Sequence, residues 1–228
     1  MNVIIATHKE HDIQNLYLLK QNFQNITFHL ITQKSQLNID FIEKINPKYI
    51  FFSHWSFFIP KNIYNNYECI VFHLGNLPFG RGGSPLQNLI IRGIYESKIC
   101  ALKVNEILDG GDIYLRYKVK FSKLKAQAIY EKISKIIYTK MIPIILTSNI
   151  CPKKQKGKVV IFKRRTPQES DINTLKNIDI TKIYDFIRML DAKDYPKAFL
   201  QIQNIKIEFS NAKLKNNTIQ AKVEIYEK

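Results

Sequence analysis

Two residues stand where a chain can move protons. His73 closes the apolar run Cys69-Ile70-Val71-Phe72 and leads into a turn carrying Gly75, Pro78, Gly80, Gly82 and Gly83. A titratable group at the end of a buried strand lies where open α/β sheets place their ligands. Asp109 opens Asp109-Gly110-Gly111-Asp112, a composition that favours a turn. A carboxylate beside an imidazole helps it to carry protons near neutral pH. Taken singly, His73 reads first as a hydrogen-bonded strand-end histidine and Asp109 as a turn residue. His8 and His11 have a spacing that suits a metal, but no cysteine or third ligand accompanies them and Lys9 lies between. No metal is expected.

The elements that must hold these residues alternate. Val3–Ala6 is apolar and strand-like, and Ile13, Leu16, Tyr17 and Lys20 follow at helical spacing. Ile26–Thr32 repeats the strand signal, Leu37, Phe41, Ile42 and Ile45 form a helical stripe, and Tyr49–Phe52 and Cys69–His73 are further strands. Strands alternating with helices predict a mostly parallel, Rossmann-like α/β sheet. Ser84 and Pro85 read as N-cap and first residue of a helix. Ile99–Val104 and Ile113–Val119 read as strands joined by a tight glycine turn. A long helix is expected over 125–145, broken near Pro143. Beyond it, Val159–Phe162, Ile205–Phe209 and Ala221–Tyr226 read as strands and Ile180–Leu190 as a helix, a small α+β subdomain. The expected division is a catalytic domain over 1–157 and a subdomain over 158–228.

Composition narrows the class. With 45% hydrophobic, 12% aromatic and 24% charged residues, the 228-residue chain has the profile of a folded soluble protein. Three cysteines, Cys69, Cys100 and Cys151, lie in or beside apolar runs, which favours buried thiols and a reducing, cytoplasmic setting. No basic leader precedes the first strand and no apolar run reaches membrane-spanning length. The formal net charge of +16 invites a nucleic-acid reading. Its lysines are dispersed, however, and the one dense cluster, Lys153-Lys154-Gln155-Lys156-Gly157-Lys158, reads as a solvated linker.

The segment Phe72–Gln87, FHLGNLPFGRGGSPLQ, resembles the signature loop of formyltransferases that use 10-formyl-tetrahydrofolate. Val104–Tyr114, VNEILDGGDIY, resembles that family's aspartate–glycine–glycine turn, in the expected order. The resemblance implies that His73 and Asp109 meet in a cleft, with Asp109 tuning the imidazole. It implies a folate pocket between the loop after the third strand, with Trp55, Phe57, Phe58 and Ile59, and the flanks of the aspartate turn, Leu108 and Asp112. One departure stands out. Where the family has an asparagine two residues before the histidine, this chain has Val71. Asn76 is the nearest side-chain replacement as oxyanion donor, with backbone N–H groups of the glycine-rich loop as the alternative.

For the amine acceptor, the sequence around Lys163–Asp191 and the GRGGSPLQN segment resemble formyltransferases acting on nucleotide-linked amino sugars. The expected substrate is therefore a UDP-linked 4-amino-4,6-dideoxy N-acetyl-hexosamine of the pseudaminic-acid type. Its diphosphate would meet Arg81, Gly82, Gly83 and Ser84 at a helix start, with Arg164, Arg165 and Arg188 as further cations. The alternatives are a methionyl-tRNA formyltransferase-like enzyme, disfavoured because roughly 70 residues after Lys158 are few for a large RNA-binding domain, and a non-catalytic ligand- or RNA-binding relative.

Overall fold

The computed structural model describes residues 1–227. In chain order the elements are β1 (Asn2–Ala6), α1 (Glu10–Asn22), β2 (Thr27–Ile31), α2 (Ile39–Ile45), β3 (Tyr49–Phe52), α3 (Lys61–Tyr64), β4 (Cys69–Leu74), β5 (Phe79–Gly82) and α4 (Pro85–Ile90). They continue with β6 (Glu96–Lys103), β7 (Ile113–Lys120), α5 (Ala126–Ile136), α6 (Ile142–Thr147), β8 (Val160–Phe162), α7 (Ile180–Leu190), β9 (Ala198–Ile202), β10 (Ile205–Lys215) and β11 (Thr218–Glu227). The chain forms two compact units, each built from three separate stretches.

The first unit comprises Met1–Arg81, Ser97–Val119 and Glu131–Ile161. Its six-stranded sheet has the order β2-β1-β3-β4-β6-β7. β1 pairs in parallel with β2 and β3, and β3 with β4, while β4 and β6 are antiparallel. This is the Rossmann-like, mostly parallel sheet that the alternating pattern predicts. Val3–Ala6 and Ile50–Phe52 are wholly buried, as strands covered on both faces must be. The side chains of Ile4, Ala6, Ile31, Ile42, Ile50, Phe52 and Cys69 form one core cluster, which sets the height at which β1, β3 and β4 release their loops.

The second unit comprises Gly82–Glu96, Lys120–Tyr130 and Phe162–Lys228. Asp179 caps α7, its side chain accepting from the Lys182 N–H, and Phe186, Ile187, Met189 and Leu190 are buried. A three-stranded antiparallel sheet of order β11-β10-β9 completes the α+β fold.

Several local expectations are corrected. The helix expected over 125–145 is α5, a π-helical stretch Ile137–Met141 and then α6, because Pro143 lacks an N–H and its ring crowds the preceding turn. β6 and β7 are joined by a wider loop, closed at its base by the Lys103 N–H donating to Asp112 O. Ser84 does not cap α4: it lies at φ 46° with no capping hydrogen bond. The Asn88 side chain instead donates to the carbonyls of Gly83, Ser84 and Lys163. Cys69 and Cys100 are buried free thiols, but Cys151 is exposed. Among the described residues no helix is long and apolar enough to cross a membrane.

Candidate active site

β4 delivers His73 in register opposite Cys100 of β6. The ring is held at both ends. Nε2 lies 2.7 Å from Gly80 O, and Nδ1 lies 3.4 Å from Asp109 Oδ2, with both side chains about nine-tenths buried. A carbonyl only accepts, so the proton at Nε2 is fixed. The exchangeable position is then Nδ1, facing a carboxylate at a distance slightly longer than a well-made hydrogen bond.

The turn that aims Asp109 is tightly specified. Asp109 itself has φ 49°, a left-handed conformation that Asp tolerates better than most residues. Gly111 lies so close to β6 that an added Cβ would stand 1.7 Å from Lys103 O. No side chain fits there.

Gln155, which lies in no recognisable motif, ties this turn to Arg81. Gln155 Oε1 accepts from Arg81 Nε and a second guanidinium nitrogen at 3.1 and 2.8 Å. Its Nε2 donates to Asp109 O and Gly111 O at 2.8 and 2.9 Å. The lysine-rich stretch is therefore not merely a solvated linker. Its lysine side chains are exposed, but Lys153 exchanges backbone hydrogen bonds with Ile113 and Gln155 points inward to the turn.

Val71 is half-buried and packs against both apolar clusters flanking β4, so this position is given over to core packing. Asn76 is exposed at the turn after β4, its carbonyl accepting from the Phe79 N–H. In the loop after β3, Trp55 and Phe57 meet edge to face at 5.2 Å, and Trp55 and Ile59 pack against the core. The Trp55 indole nitrogen is buried without a hydrogen-bond partner. Phe58 and Leu108 are 78% and 72% exposed, and Asp112 is half-buried with its carbonyl engaged by Lys103.

Gly82, Gly83, Ser84, Arg164 and Arg165 belong to the second unit. The Gly83 N–H donates to Phe162 O, and an added Cβ there would stand 2.5 Å from Arg164 Cα. Ser84 Oγ accepts from the Arg165 N–H at 3.1 Å. Arg164 is exposed, whereas the Arg165 guanidinium lies over the Phe186 ring and donates to Glu169 O. Arg188 is corrected outright. It is buried, paired with Asp185 at 2.7 Å and donating to Phe121 O and Leu124 O, a structural cation with no face left for a substrate.

A model of the methionyl-tRNA formyltransferase C-terminal domain matches residues 167–226. The methionyl-tRNA formyltransferase of Rickettsia typhi is 28% identical over 172 residues, covering 70% of this chain and 57% of that protein. The chain spans about half the length of the curated relatives it matches. The structure of a methionyl-tRNA formyltransferase from Clostridium thermocellum is 46% identical, covers 100% of both chains and gives a TM-score of 0.96. The chain belongs to the methionyl-tRNA formyltransferase family. A sugar N-formyltransferase from Shewanella sp FDAARGOS_354, 18% identical over 97% of this chain and 96% of that one with a TM-score of 0.71, shares the fold alone.

Membership of the methionyl-tRNA formyltransferase family overturns the nucleotide-sugar substrate and the pseudaminic-acid assignment. The tail that seemed too short for the C-terminal domain is the segment that the family's C-terminal model matches. Tail length was the wrong measure, because α7 and the three-stranded sheet form one compact unit with Gly82–Glu96 and Lys120–Tyr130 from earlier in the chain. The formyltransferase resemblance itself stands.

Proposed function

We propose that this chain transfers the formyl group of 10-formyl-tetrahydrofolate to the amine of methionine carried on tRNA. The observation that carries the reading is His73 Nδ1 facing Asp109 Oδ2 at 3.4 Å with both side chains nearly buried, in a chain of this family. In the transfer a C–N bond forms at the acceptor amine and the donor's C–N bond breaks; the amine loses a proton and the donor nitrogen gains one. The donor, when bound, supplies a formyl carbon open to attack. Asp109 and Nδ1 are the pair that takes up and returns the proton, and their separation leaves room to tighten on a bound amine, as catalytic contacts commonly do. Gln155 holds the backbone of the turn that aims the carboxylate. Asn76 is the proposed side-chain donor to the developing oxyanion.

The residues around the loop after β3 suit a folate. Trp55 offers an unsatisfied buried N–H to a ring edge, and Phe57, Phe58, Ile59 and Leu108 offer apolar cover, with Asp112 on the far flank of the turn. Gly82, Gly83, Ser84, Arg164 and Arg165 of the second unit are proposed as one set of contacts to the phosphate-bearing acceptor, and Arg81 of the first unit as a contact considered by itself. The net charge of +16 suits a polyanion.

The test is direct. Purified protein, 10-formyl-tetrahydrofolate and methionyl-tRNA should yield formyl-methionyl-tRNA, whereas free methionine should not react. Formylation of free methionine at an equal rate, or none of the charged tRNA, would overturn the acceptor assignment.

A further inference from the structure

We propose that His11, Asp12 and His54 form a binding site for one divalent transition-metal ion of the Zn2+ class, separate from the His73–Asp109 pair and independent of the transfer reaction. The three come from two loops at the sheet's ligand-bearing end. β1 leads to α1, whose first turn carries His11 and Asp12, and β3 leads to His54, held at φ 49°. Asp12 is wholly buried. His54 Nδ1 lies 3.1 Å from Asp12 Oδ2 and 3.3 Å from Oδ1. His11 Nε2 lies 3.9 Å from Asp12 Oδ1, and the two imidazoles meet edge-on with centroids 5.1 Å apart. One donor atom from each residue falls within 4.8 Å of the other two.

The donor chemistry selects the ion. Two imidazole nitrogens and one carboxylate match Zn2+ and its neighbours, with a fourth position left for water, whereas Mg2+ and Ca2+ require oxygen ligands almost throughout. The independent observation is His11 Nε2, which is buried with no hydrogen-bond partner. A buried polar atom in that condition is costly unless something is meant to meet it.

An outer-shell contact supports the carboxylate, as metal ligands generally need. The Thr7 hydroxyl donates to Asp12 Oδ2 at 2.7 Å. Ser134 Oγ donates to the His11 carbonyl at 3.4 Å and accepts from Asn15 Nδ2 at 2.8 Å. On binding, the ion takes the place of the proton between His54 Nδ1 and Asp12, and the neutral imidazole carries its single proton on Nε2. The ion would join the loop after β1 to the loop that carries Trp55 and Phe57.

Chelator-stripped protein titrated with ZnCl2 by calorimetry should bind one equivalent and gain thermal stability, and Co2+ should give the visible absorption of a low-coordinate nitrogen–oxygen site. His11→Gln and Asp12→Asn should each weaken Zn2+ binding by more than the roughly 100-fold that loss of an outer-shell partner can cost, with His8→Gln unchanged. His11→Gln is the decisive variant, because His11 makes no hydrogen bond through Nε2 and its metal-free melting temperature should match the wild type. Absence of saturable one-to-one binding, or equal affinity in His11→Gln and the wild type, would overturn the site.

Discussion

Gln155 accepts twice from Arg81 and donates twice to the carbonyls of the Asp109 turn, so a single amide sets the position of both. Gln155→Met should lower kcat by up to about 100-fold, the scale of a misplacement of about 1 Å, with a smaller change in KM and no change in melting temperature. Gln155→Glu keeps the acceptor for Arg81 and loses the donor, so it should fall between; wild-type kcat in both would remove Gln155 from the positioning role. For the pair itself, His73→Ala and Asp109→Ala should each reduce turnover with methionyl-tRNA by at least about 100-fold while the far-UV spectrum is unchanged. Asn76→Ala tests the oxyanion proposal: a loss of about 100- to 1000-fold in kcat is expected, and retention of most turnover transfers the role to a backbone N–H. His73 and Asp109 could be picked out from sequence because each lies in a contiguous motif that resembles a formyltransferase signature; a strand-end histidine or an Asp-Gly-Gly turn alone would not have marked them. Gln155 could not, since its four contacts come from chain far away in sequence, and neither could the meeting of His11 with Asp12 and His54, which depends on β1 and β3 lying side by side.

At the scale of elements, the βα units were legible because each buried strand is a short apolar run, the signal that burial imposes; in α1, however, Ile13 and Tyr17 are exposed and the face toward the core is Asp12, Leu16 and Leu19. What escaped was set by tertiary fit. β9, Ala198–Ile202, forms by pairing with β10, and the Ser84 hydroxyl is taken by Arg165, distant in sequence, rather than by the helix start. The Asp109 turn makes a sharper prediction. With 1.7 Å between a built Cβ at Gly111 and Lys103 O, Gly111→Ala should destabilise by about 1–3 kcal/mol and reduce turnover together, measured by denaturant melts and initial rates. The link between β1 and β3 predicts an acid response. The Asp12 carboxyl binds its proton less tightly folded than unfolded, below its ordinary 3.8, so its contribution is complete above that pH and is lost as acid drives the pH lower. His11 acts in the same direction nearer neutrality, because its folded ring resists charging below its ordinary 6.5. Asp12→Asn should therefore be less stable at pH 7 than wild type and show a flatter decline between about pH 4 and 2; parallel declines would show that Asp12 does not couple to folding.

For the molecule as a whole, charge is the property most open to measurement. With a formal +16, the KM for methionyl-tRNA should rise steeply and linearly on a log–log plot against salt, as phosphate contacts release counterions, while the KM for the folate donor moves little. Equal salt dependence for both substrates would mean that the charge plays no part in recognition. Dispersed lysine was read from sequence as a compositional trait, and the acceptor was misjudged with it, because the length and wording of the tail outweighed the charge. The interleaving of the two units was invisible along the chain, where a boundary near residue 157 looks natural. It also carries a consequence for birth on the ribosome. Gly82–Glu96 and Lys120–Tyr130 belong with Phe162–Lys228, so two early stretches leave the exit tunnel without their partners. At the usual pace of about 5–20 residues per second, they wait several seconds for the last segment. During that interval the apolar residues of α4, Leu86, Leu89 and Ile90, all buried in the finished protein, are open to whatever chaperone binds nascent chains.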